Sequence, residues 1–155
     1  MVFGVSATAT DWTDHTRQTL AAAGHRASAP RAEVIDAIAE LGCSVSAKEI
    51  EDLLRERDST VGLASIYRAL ELLERLGLVK RIDLGDTAAR YEAASPSGEH
   101  HHHIVCDSCG NVVPFEDEGL EQAIERLAGR VEFSVNAHDV TLHGECPACS
   151  EPHPR

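Results

Sequence analysis

The spacing of apolar residues predicts four successive helices in the first half of the chain. The first, over about residues 13–23, carries only a weak pattern. The second begins after the cap residue Ser28, has Pro30 in its first turn and ends at Gly42. The residues expected to face inward from it are Val34, Ile35, Ile38 and Leu41.

The third and fourth helices follow closely. Ser46 and Glu49 have the spacing of a capping box, in which each side chain bonds the backbone N–H of the other residue. The fourth helix begins near Gly62 and ends at Gly77, and both helices repeat apolar residues at intervals of three and four. The residues expected to be buried are Ile50, Leu53 and Leu54, then Leu63, Ile66, Leu70, Leu73 and Leu76.

Two short extended runs come next, over residues 78–84 and 88–93, with Gly85-Asp86 as a hairpin turn between them. Three helices followed by such a hairpin describe a winged helix-turn-helix, here with one extra helix in front. The composition of the residues that follow is that of a linker. The predicted organisation is a winged-helix domain at 1–94, a linker at 95–98 and a second domain at 99–155.

The second half alternates between strand and helix patterns. Strands are predicted at 101–106 and 111–115, a helix at 118–130, and β-rich runs at 133–135 and 138–143. The inward residues of this helix are expected to be Leu120, Ile124 and Leu127. The fold class is therefore predicted as α+β, a winged helix followed by a small α/β domain.

Composition limits how these domains are stabilised. With 43% apolar residues and only six aromatic ones, each has a thin core and needs a metal, a disulfide or a partner chain. No run approaches the ~20 apolar residues of a membrane span, and residues 1–11 lack the features of a secretory signal. We therefore expect a cytoplasmic protein, whose cysteines more often bind metal than form disulfides.

The formal net charge of −12 is distributed unevenly. Residues 1–92 carry 11 basic and 15 acidic side chains, whereas residues 93–155 carry 3 and 11. Acidity argues against general nucleic-acid binding, because phosphate contacts need Lys and Arg. Because most of the negative charge lies in the second half, the first domain can still bind DNA through a few specific contacts from basic side chains.

The pairs Cys106-x-x-Cys109 and Cys146-x-x-Cys149 are the strongest chemical signal in the chain. A two-residue gap lets two thiolates converge on one tetrahedral ion at about 2.3 Å each, so we predict a structural zinc site. Redox-active dithiols and unrelated surface cysteines are the alternatives. Cys43 lies apart from the others, and we expect a small buried residue there rather than a ligand.

Four consecutive histidines run directly into the first cysteine pair. An affinity tag is one explanation, although tags are usually longer and terminal. In a strand, His101 and His103 point to one side, while His100 and His102 point to the other. One strand can thereby supply two ligands to each of two metal sites. Imidazole joined by carboxylates suits Zn, Fe, Ni and Mn alike.

Two carboxylates and one further histidine can complete these sites. Glu92 can reach the His101 and His103 side across the domain boundary, where a metal would act as a switch. Glu121 and His138 can serve the opposite side. Each also fits an ordinary role, as part of a solvated helix face or as a partly buried strand residue.

Together these features resemble the ferric uptake regulator family over about residues 15–150. The resemblance is carried by residues 24–31 (GHRASAPR), residues 61–70 (VGLASIYRAL), the histidine run and the two cysteine pairs. It implies a homodimeric, metal-activated transcription factor with a winged-helix head and an α/β dimerisation domain. It also implies one cysteine-ligated zinc in each dimerisation domain.

The resemblance also implies roles for single residues. The fourth helix becomes the recognition helix, with Ser65, Tyr67 and Arg68 at its DNA-facing positions. Two recognition helices of a homodimer would read a palindromic operator. The regulatory metal ligands are then Glu92, His101 and His103, and those of a second metal site are His100, His102, Glu121 and His138.

Several positions depart from the family pattern. Ser44 stands where iron and peroxide sensors usually place a histidine ligand, and Cys43 beside it is a weak substitute. Pro114 occupies the position of an acidic ligand in peroxide sensors. His102 replaces a common aspartate, as in zinc sensors, yet Ala94 stands at their usual ligand cysteine. The metal-sensing subtype therefore stays open.

The sequence thus predicts a non-enzymatic repressor of metal-uptake or oxidative-stress genes that binds double-stranded DNA. Zn²⁺ would be structural, and Fe²⁺, Mn²⁺ or Zn²⁺ bound between the domains would activate the protein. A zinc-uptake regulator is the nearest alternative. A thiol redox switch and a zinc hydrolase are alternatives from other classes, although the hydrolase lacks an obvious general base beside its ligands.

Overall fold

The structure is a computed structural model that describes residues 8–83, 88–96 and 101–150. The chain divides into two units, Met1–Glu99 and His100–Arg155. The hairpin turn predicted at residues 85–86 and the last two residues of the predicted linker lie outside the described residues. None of the described helices combines the length and the apolar character that a bilayer span requires.

The first unit contains four helices and a three-stranded sheet among its described residues. The helices are α1 (Thr8–Ala22), α2 (Ala29–Leu41), α3 (Ala47–Glu56) and α4 (Leu63–Arg75). The strands are β1 (Val45–Ser46), β2 (Val79–Ile82) and β3 (Arg90–Ala93). Both pairings are antiparallel in the order β1-β3-β2, which gives a winged helix-turn-helix preceded by α1. The sequence did not predict β1.

Local sequence signals account for the helix ends. The predicted capping box is present, with the Glu49 N–H donating to Ser46 Oγ at 3.2 Å and the Ser46 N–H donating to Glu49 Oε2 at 2.7 Å. Ser28 occupies the cap position of α2 without a side-chain cap hydrogen bond. Gly42 follows α2 with a φ of 81°, a left-handed conformation that glycine adopts without steric cost.

One hydrophobic core joins the four helices to the sheet of the first unit. Its fully buried members confirm the helical pattern and include Val34, Ile38, Ile50, Ile66, Leu70 and Leu73. Leu41 and Leu63 were expected inside but are exposed, because each is a terminal residue of its helix and lies beyond the packed face. The weak first helix begins at Thr8, earlier than predicted.

The second unit is built around one central strand. Its elements are β4 (His102–Cys106), β5 (Val112–Phe115), α5 (Glu118–Arg130), β6 (Thr141–Gly144) and α6 (Pro147–Ser150). β4 pairs antiparallel with β5 and parallel with β6. The α5 bounds are those predicted, and Asp117 caps this helix by accepting a 2.7 Å hydrogen bond from the Leu120 N–H. The short helix α6 was not predicted.

Apolar residues of the second unit are more exposed than their pattern predicted. Residues 133–135 form no strand, and Phe133 is 74% exposed. Leu127, expected to face inward from α5, is 53% exposed. An apolar pattern marks a residue for burial without saying what covers it, and within one chain this unit is too small to cover all of them. The other exposed large apolar residues here are Ile104, Val113, Val131, Val135 and Leu142.

Candidate metal centres and DNA-facing helix

The four predicted zinc ligands come together at one end of the second sheet. Cys106 ends β4, and Cys146 follows β6, which pairs with β4. Their sulfur atoms and those of Cys109 and Cys149 all lie within 4.8 Å of one another, and Cys109 Sγ is 3.8 Å from Cys146 Sγ. Four sulfurs at about 2.3 Å from a tetrahedral ion are separated by about 3.8 Å, so the quartet fits zinc. All four are free thiols rather than disulfides.

The surroundings of the quartet favour loss of a proton from one thiol in particular. The Cys146 N–H donates to Cys106 Sγ at 3.3 Å. Backbone N–H groups of Cys146 and Cys109 lower the pKa of the Cys106 thiol to about 6. Sulfur–sulfur hydrogen bonds, first with Cys146, raise the pKa of Cys149 to about 12. A bound cation would displace the remaining protons, as metal binding by thiols requires.

A second cluster of possible ligands lies within the same unit. Glu121, in the first turn of α5, uses one carboxylate oxygen for each of two imidazoles. His102 Nε2 is 2.7 Å from its Oε1, and His138 Nε2 is 2.9 Å from its Oε2. The three ligand atoms lie within the separation that one ion can span. His100, also predicted for this site, lies outside the described residues.

The three described histidines of the run, residues 101–103, alternate as the strand geometry predicted. His102 belongs to the cluster with Glu121, whereas the rings of His101 and His103 face each other with centroids 5.1 Å apart. His103 is buried in β4, and His101 directly precedes this strand. These two imidazoles thus form a separate pair of candidate ligands.

The first unit contains a buried carboxylate that contacts a cysteine thiol. Glu92 lies in β3 and is only 6% exposed, and its Oε2 is 3.4 Å from the thiol Sγ of Cys43. Burial and the neighbouring carboxylate raise the pKa of Cys43 to about 12, so the thiol stays protonated at neutral pH and donates a hydrogen bond to Glu92 Oε2. Sequence reasoning favoured Cys43 as a packing residue over a weak substitute ligand, and it missed this contact because the two residues are 49 apart in the chain.

Ser44, at the position where the family resemblance leads us to expect a histidine ligand, is held by an arginine. The Arg90 guanidinium donates to the Ser44 carbonyl at 2.6 and 2.9 Å and to Ser44 Oγ at 3.0 Å. It also donates to Glu49 Oε2 at 2.9 Å. Ser44 has a φ of 62°, so this loop turns through a left-handed residue just before β1. No sequence motif signalled this network.

The three predicted DNA-facing residues share the exposed side of α4. Tyr67 is 45% exposed, and Arg68 Nη2 donates to Ser65 Oγ at 3.1 Å. Ile66 and Leu70 on the other side are fully buried in the core. The helix therefore presents polar groups outward from a rigid support, as a helix that enters a DNA groove must.

A winged helix-turn-helix followed by a small α/β domain, with a cysteine quartet and a histidine–carboxylate cluster, is the plan of a metal-responsive DNA-binding regulator. A comparison with protein families supports this class. The sequence model of the ferric uptake regulator family matches residues 22–143, and the chain belongs to this family.

Individual relatives agree with this assignment. The ferric uptake regulation protein of Bacillus subtilis is 37% identical over 107 residues, which cover 68% of this chain and 72% of that protein. The ferric uptake regulator of Helicobacter pylori, described as having three functional metal-binding sites, is 26% identical with a TM-score of 0.83. Its alignment covers 95% of this chain and 97% of that one. A zinc uptake regulator complexed with zinc and DNA is 25% identical with a TM-score of 0.58, and the alignment covers 92% and 95%.

Proposed function

We propose that this protein is a homodimeric repressor of metal-uptake or oxidative-stress genes that binds its operator when loaded with a divalent metal. The observation that carries the proposal is the position of Glu92. This buried carboxylate lies in the wing sheet of the same domain that presents Tyr67 and Arg68 on α4. Burying an ionised carboxylate costs less free energy when a cation lies beside it. The domain that presents the DNA-facing helix therefore also holds a candidate metal ligand.

The regulatory ion is proposed to take Glu92 from the first unit and His101 and His103 from the second. An ion bound by both would restrict the first domain relative to the second, which is how metal binding can select one arrangement of two recognition helices. Residues 95–98 are the proposed linker between the two domains. Because a linker allows several arrangements of the domains, a bound ion is needed to select one of them. Fe²⁺, Mn²⁺ and Zn²⁺ all accept this ligand type.

The other two clusters are proposed as separate sites. Cys106, Cys109, Cys146 and Cys149 hold a structural Zn²⁺ that ties β4 to the segment after β6, and their 3.8 Å sulfur spacing supports it. His102, Glu121 and His138, with His100 as the fourth ligand suggested by the sequence, form the second metal site. The 2.7 and 2.9 Å contacts of Glu121 support that assignment.

DNA binding is assigned to Ser65, Tyr67 and Arg68 on the exposed face of α4. The structural neighbour that was solved with zinc and DNA supports a DNA partner for this chain. Exposed apolar residues on the second unit, such as Leu127 and Phe133, support a homodimer, because a second copy would cover them. Two symmetric recognition helices then require a palindromic site. A repressor of this kind works in the cytoplasm, and its relatives' names favour a regulator over a hydrolase.

The test begins with the dimer carrying zinc in its cysteine quartet. Operator sequences are first selected from genomic fragments in the presence of metal. Affinity is then measured anaerobically with Fe²⁺, Mn²⁺ or Zn²⁺ at buffered free concentrations. We expect at least one ion to raise the affinity, and R68A to lower the metal-loaded affinity by about 1–3 kcal/mol.

The decisive variant is H101A/H103A. It should retain one zinc per chain and lose the metal-dependent gain in DNA affinity, whereas H15A, which removes an exposed histidine of α1, should behave as the unmodified protein. Metal-dependent DNA binding that survives in H101A/H103A would contradict the proposed regulatory site. DNA binding that ignores every ion would contradict the metal switch itself.

A further inference from the structure

We propose that Cys43 is an additional ligand of the regulatory metal ion and that its thiolate selects Zn²⁺ over Mn²⁺ at that site. This inference rests on the regulatory site proposed above, and it adds a residue that the sequence favoured for packing and offered only as a weak substitute ligand. The ligand set becomes one thiolate, one carboxylate and two imidazoles, from Cys43, Glu92, His101 and His103.

The spacing of the two donors in the first unit already suits one ion. Cys43 Sγ is 3.4 Å from Glu92 Oε2. In a tetrahedral zinc site with Zn–S of about 2.3 Å and Zn–O of about 2.1 Å, sulfur and oxygen are separated by about 3.6 Å. An ion can therefore replace the proton between these two atoms with little movement of either. The thiol proton passes to solvent as the metal–sulfur bond forms.

Ser44 is unsuited to supply the missing ligand. Its hydroxyl and its carbonyl both accept hydrogen bonds from Arg90, and the residue is buried. The thiol of Cys43, one residue earlier, instead contacts the carboxylate of Glu92. Arg90 thus holds the loop in a conformation where the cysteine, and not the serine, contacts the candidate ligand.

Charge balance gives an independent reason to place an ion here. A cysteine kept only for packing is best surrounded by apolar groups, yet Cys43 contacts a carboxylate that is 6% exposed. One thiolate and one carboxylate cancel the charge of a divalent ion, and the two imidazoles are neutral. The completed site therefore carries no net charge, which lowers the cost of burying it.

The thiolate also decides which ion binds best. Sulfur ligands favour Zn²⁺, whereas Mn²⁺ prefers oxygen donors and binds most weakly among the first-row divalent ions. We expect C43S to lower Zn²⁺ affinity at the regulatory site by at least about tenfold, comparable to other changes in metal ligation. Mn²⁺ affinity should change much less, so the preference for zinc over manganese should narrow.

Co²⁺ is the direct probe, because a thiolate bound to Co²⁺ gives sulfur-to-metal charge-transfer absorption in the near ultraviolet. The dimer with zinc in its cysteine quartet is titrated with one equivalent of Co²⁺ per chain, and retained zinc is measured in the same sample. We expect the band in the unmodified protein and its loss in C43S. The weaker visible bands of Co²⁺ should persist in C43S with altered positions.

Several results would overturn the proposal. A band of equal strength in C43S would mean that the sulfur belongs to the quartet. Absence of the band in the unmodified protein, at enough Co²⁺ to fill both the regulatory and the second site, would exclude a thiolate ligand without recourse to any variant. Loss of Co²⁺ binding in H101A/H103A together with an unaffected C43S would refute the role of Cys43 while leaving the proposed regulatory site intact. A sulfur-to-metal band that keeps its full strength in H101A/H103A would refute the regulatory site as well.

Discussion

The indole Nε1 of Trp12 donates a 2.8 Å hydrogen bond to the backbone carbonyl of Leu78, which lies 66 residues further along the chain. Trp12 is buried in the core of the first unit, and Leu78 directly precedes β2. This bond attaches α1 to the wing sheet. The extra helix is therefore an integral part of the winged-helix domain.

Replacing Trp12 with Phe should destabilise the first unit by about 1 kcal/mol, since the buried Leu78 carbonyl loses one hydrogen bond and keeps the other, from the Ala94 N–H at 3.0 Å. Urea denaturation followed by circular dichroism measures the change, because Trp12 is the only tryptophan and fluorescence is lost with it. Q18A, at an exposed position of the same helix, should change stability by less than about 0.5 kcal/mol. Equal stability of W12F and the unmodified protein would contradict a structural role for this bond.

Removing zinc should unfold the second unit before the first. The second unit buries few large apolar residues, and structural zinc contributes an apparent ~10 kcal/mol or more in small domains. A strong chelator, or C109S, should abolish amide protection over β4 and β6 in hydrogen exchange. Trp12 fluorescence should stay native, because this residue reports on the first unit alone. Protection of β4 that persists without zinc would show that the quartet is not structural.

The capping box at α3 should make stability depend on pH in the acid range. Burial acts to raise the pKa of Glu49, but hydrogen bonds from the Ser46 N–H and from Arg90 outweigh it and lower the pKa from 4.5. A carboxyl whose folded-state pKa is depressed stabilises the protein above its unfolded pKa, and this contribution is lost as pH falls through the folded value.

We therefore expect E49Q to cost about 0.5–1 kcal/mol at pH 7, a modest effect because the carboxylate is half exposed and solvent screens its pairing with Arg90. The difference between E49Q and the unmodified protein should shrink as pH falls from 5 towards 3. Denaturation curves across that interval measure it, with E56Q at the exposed end of α3 as the matched control. A difference that stays constant with pH would exclude the ionised carboxylate as its source.

The exposed apolar residues of the second unit predict where two copies meet. Leu127 is 53% exposed on α5, and replacing it with Asp places a charge where burial is expected. L127D should shift the dimer towards monomer at micromolar concentration in sedimentation equilibrium, with zinc content unchanged. Q122A, at another exposed position of α5, serves as the control. A dimer unaffected by L127D would place the interface elsewhere.

Much of this molecule could be read from local sequence. The helical period of Ile66, Leu70 and Leu73 predicted both α4 and its buried face, and the spacing of Ser46 and Glu49 predicted a cap that the structure contains. The bounds of α5 were also correct. These features depend on residues three or four positions apart, so short segments of sequence contain the whole signal.

The cysteine quartet and the histidine alternation were equally accessible, for a related reason. A two-residue spacing already determines that two thiols can meet at one ion, and strand geometry already separates His102 from His103. The sequence could propose ligands for each site, but the contact of Glu121 with both His102 and His138 joins residues 17 and 19 positions apart and depends on the tertiary fold of the second unit.

Features joined by distant residues had no local signal. The Cys43–Glu92 contact and the hydrogen bonds from Arg90 to Ser44 exist because the two-residue strand β1 pairs with β3. Nothing within the sequence of either strand indicates that pairing. The exposure of Phe133 was likewise unpredictable. An apolar side chain predicts burial, but the sequence does not show which surface will cover it. Local spacing thus predicted helices α2 to α5, the two wing strands β2 and β3, and the candidate ligands other than Cys43. Long-range packing specified which side chain faces Glu92, because contacts between distant residues form only when the chain folds.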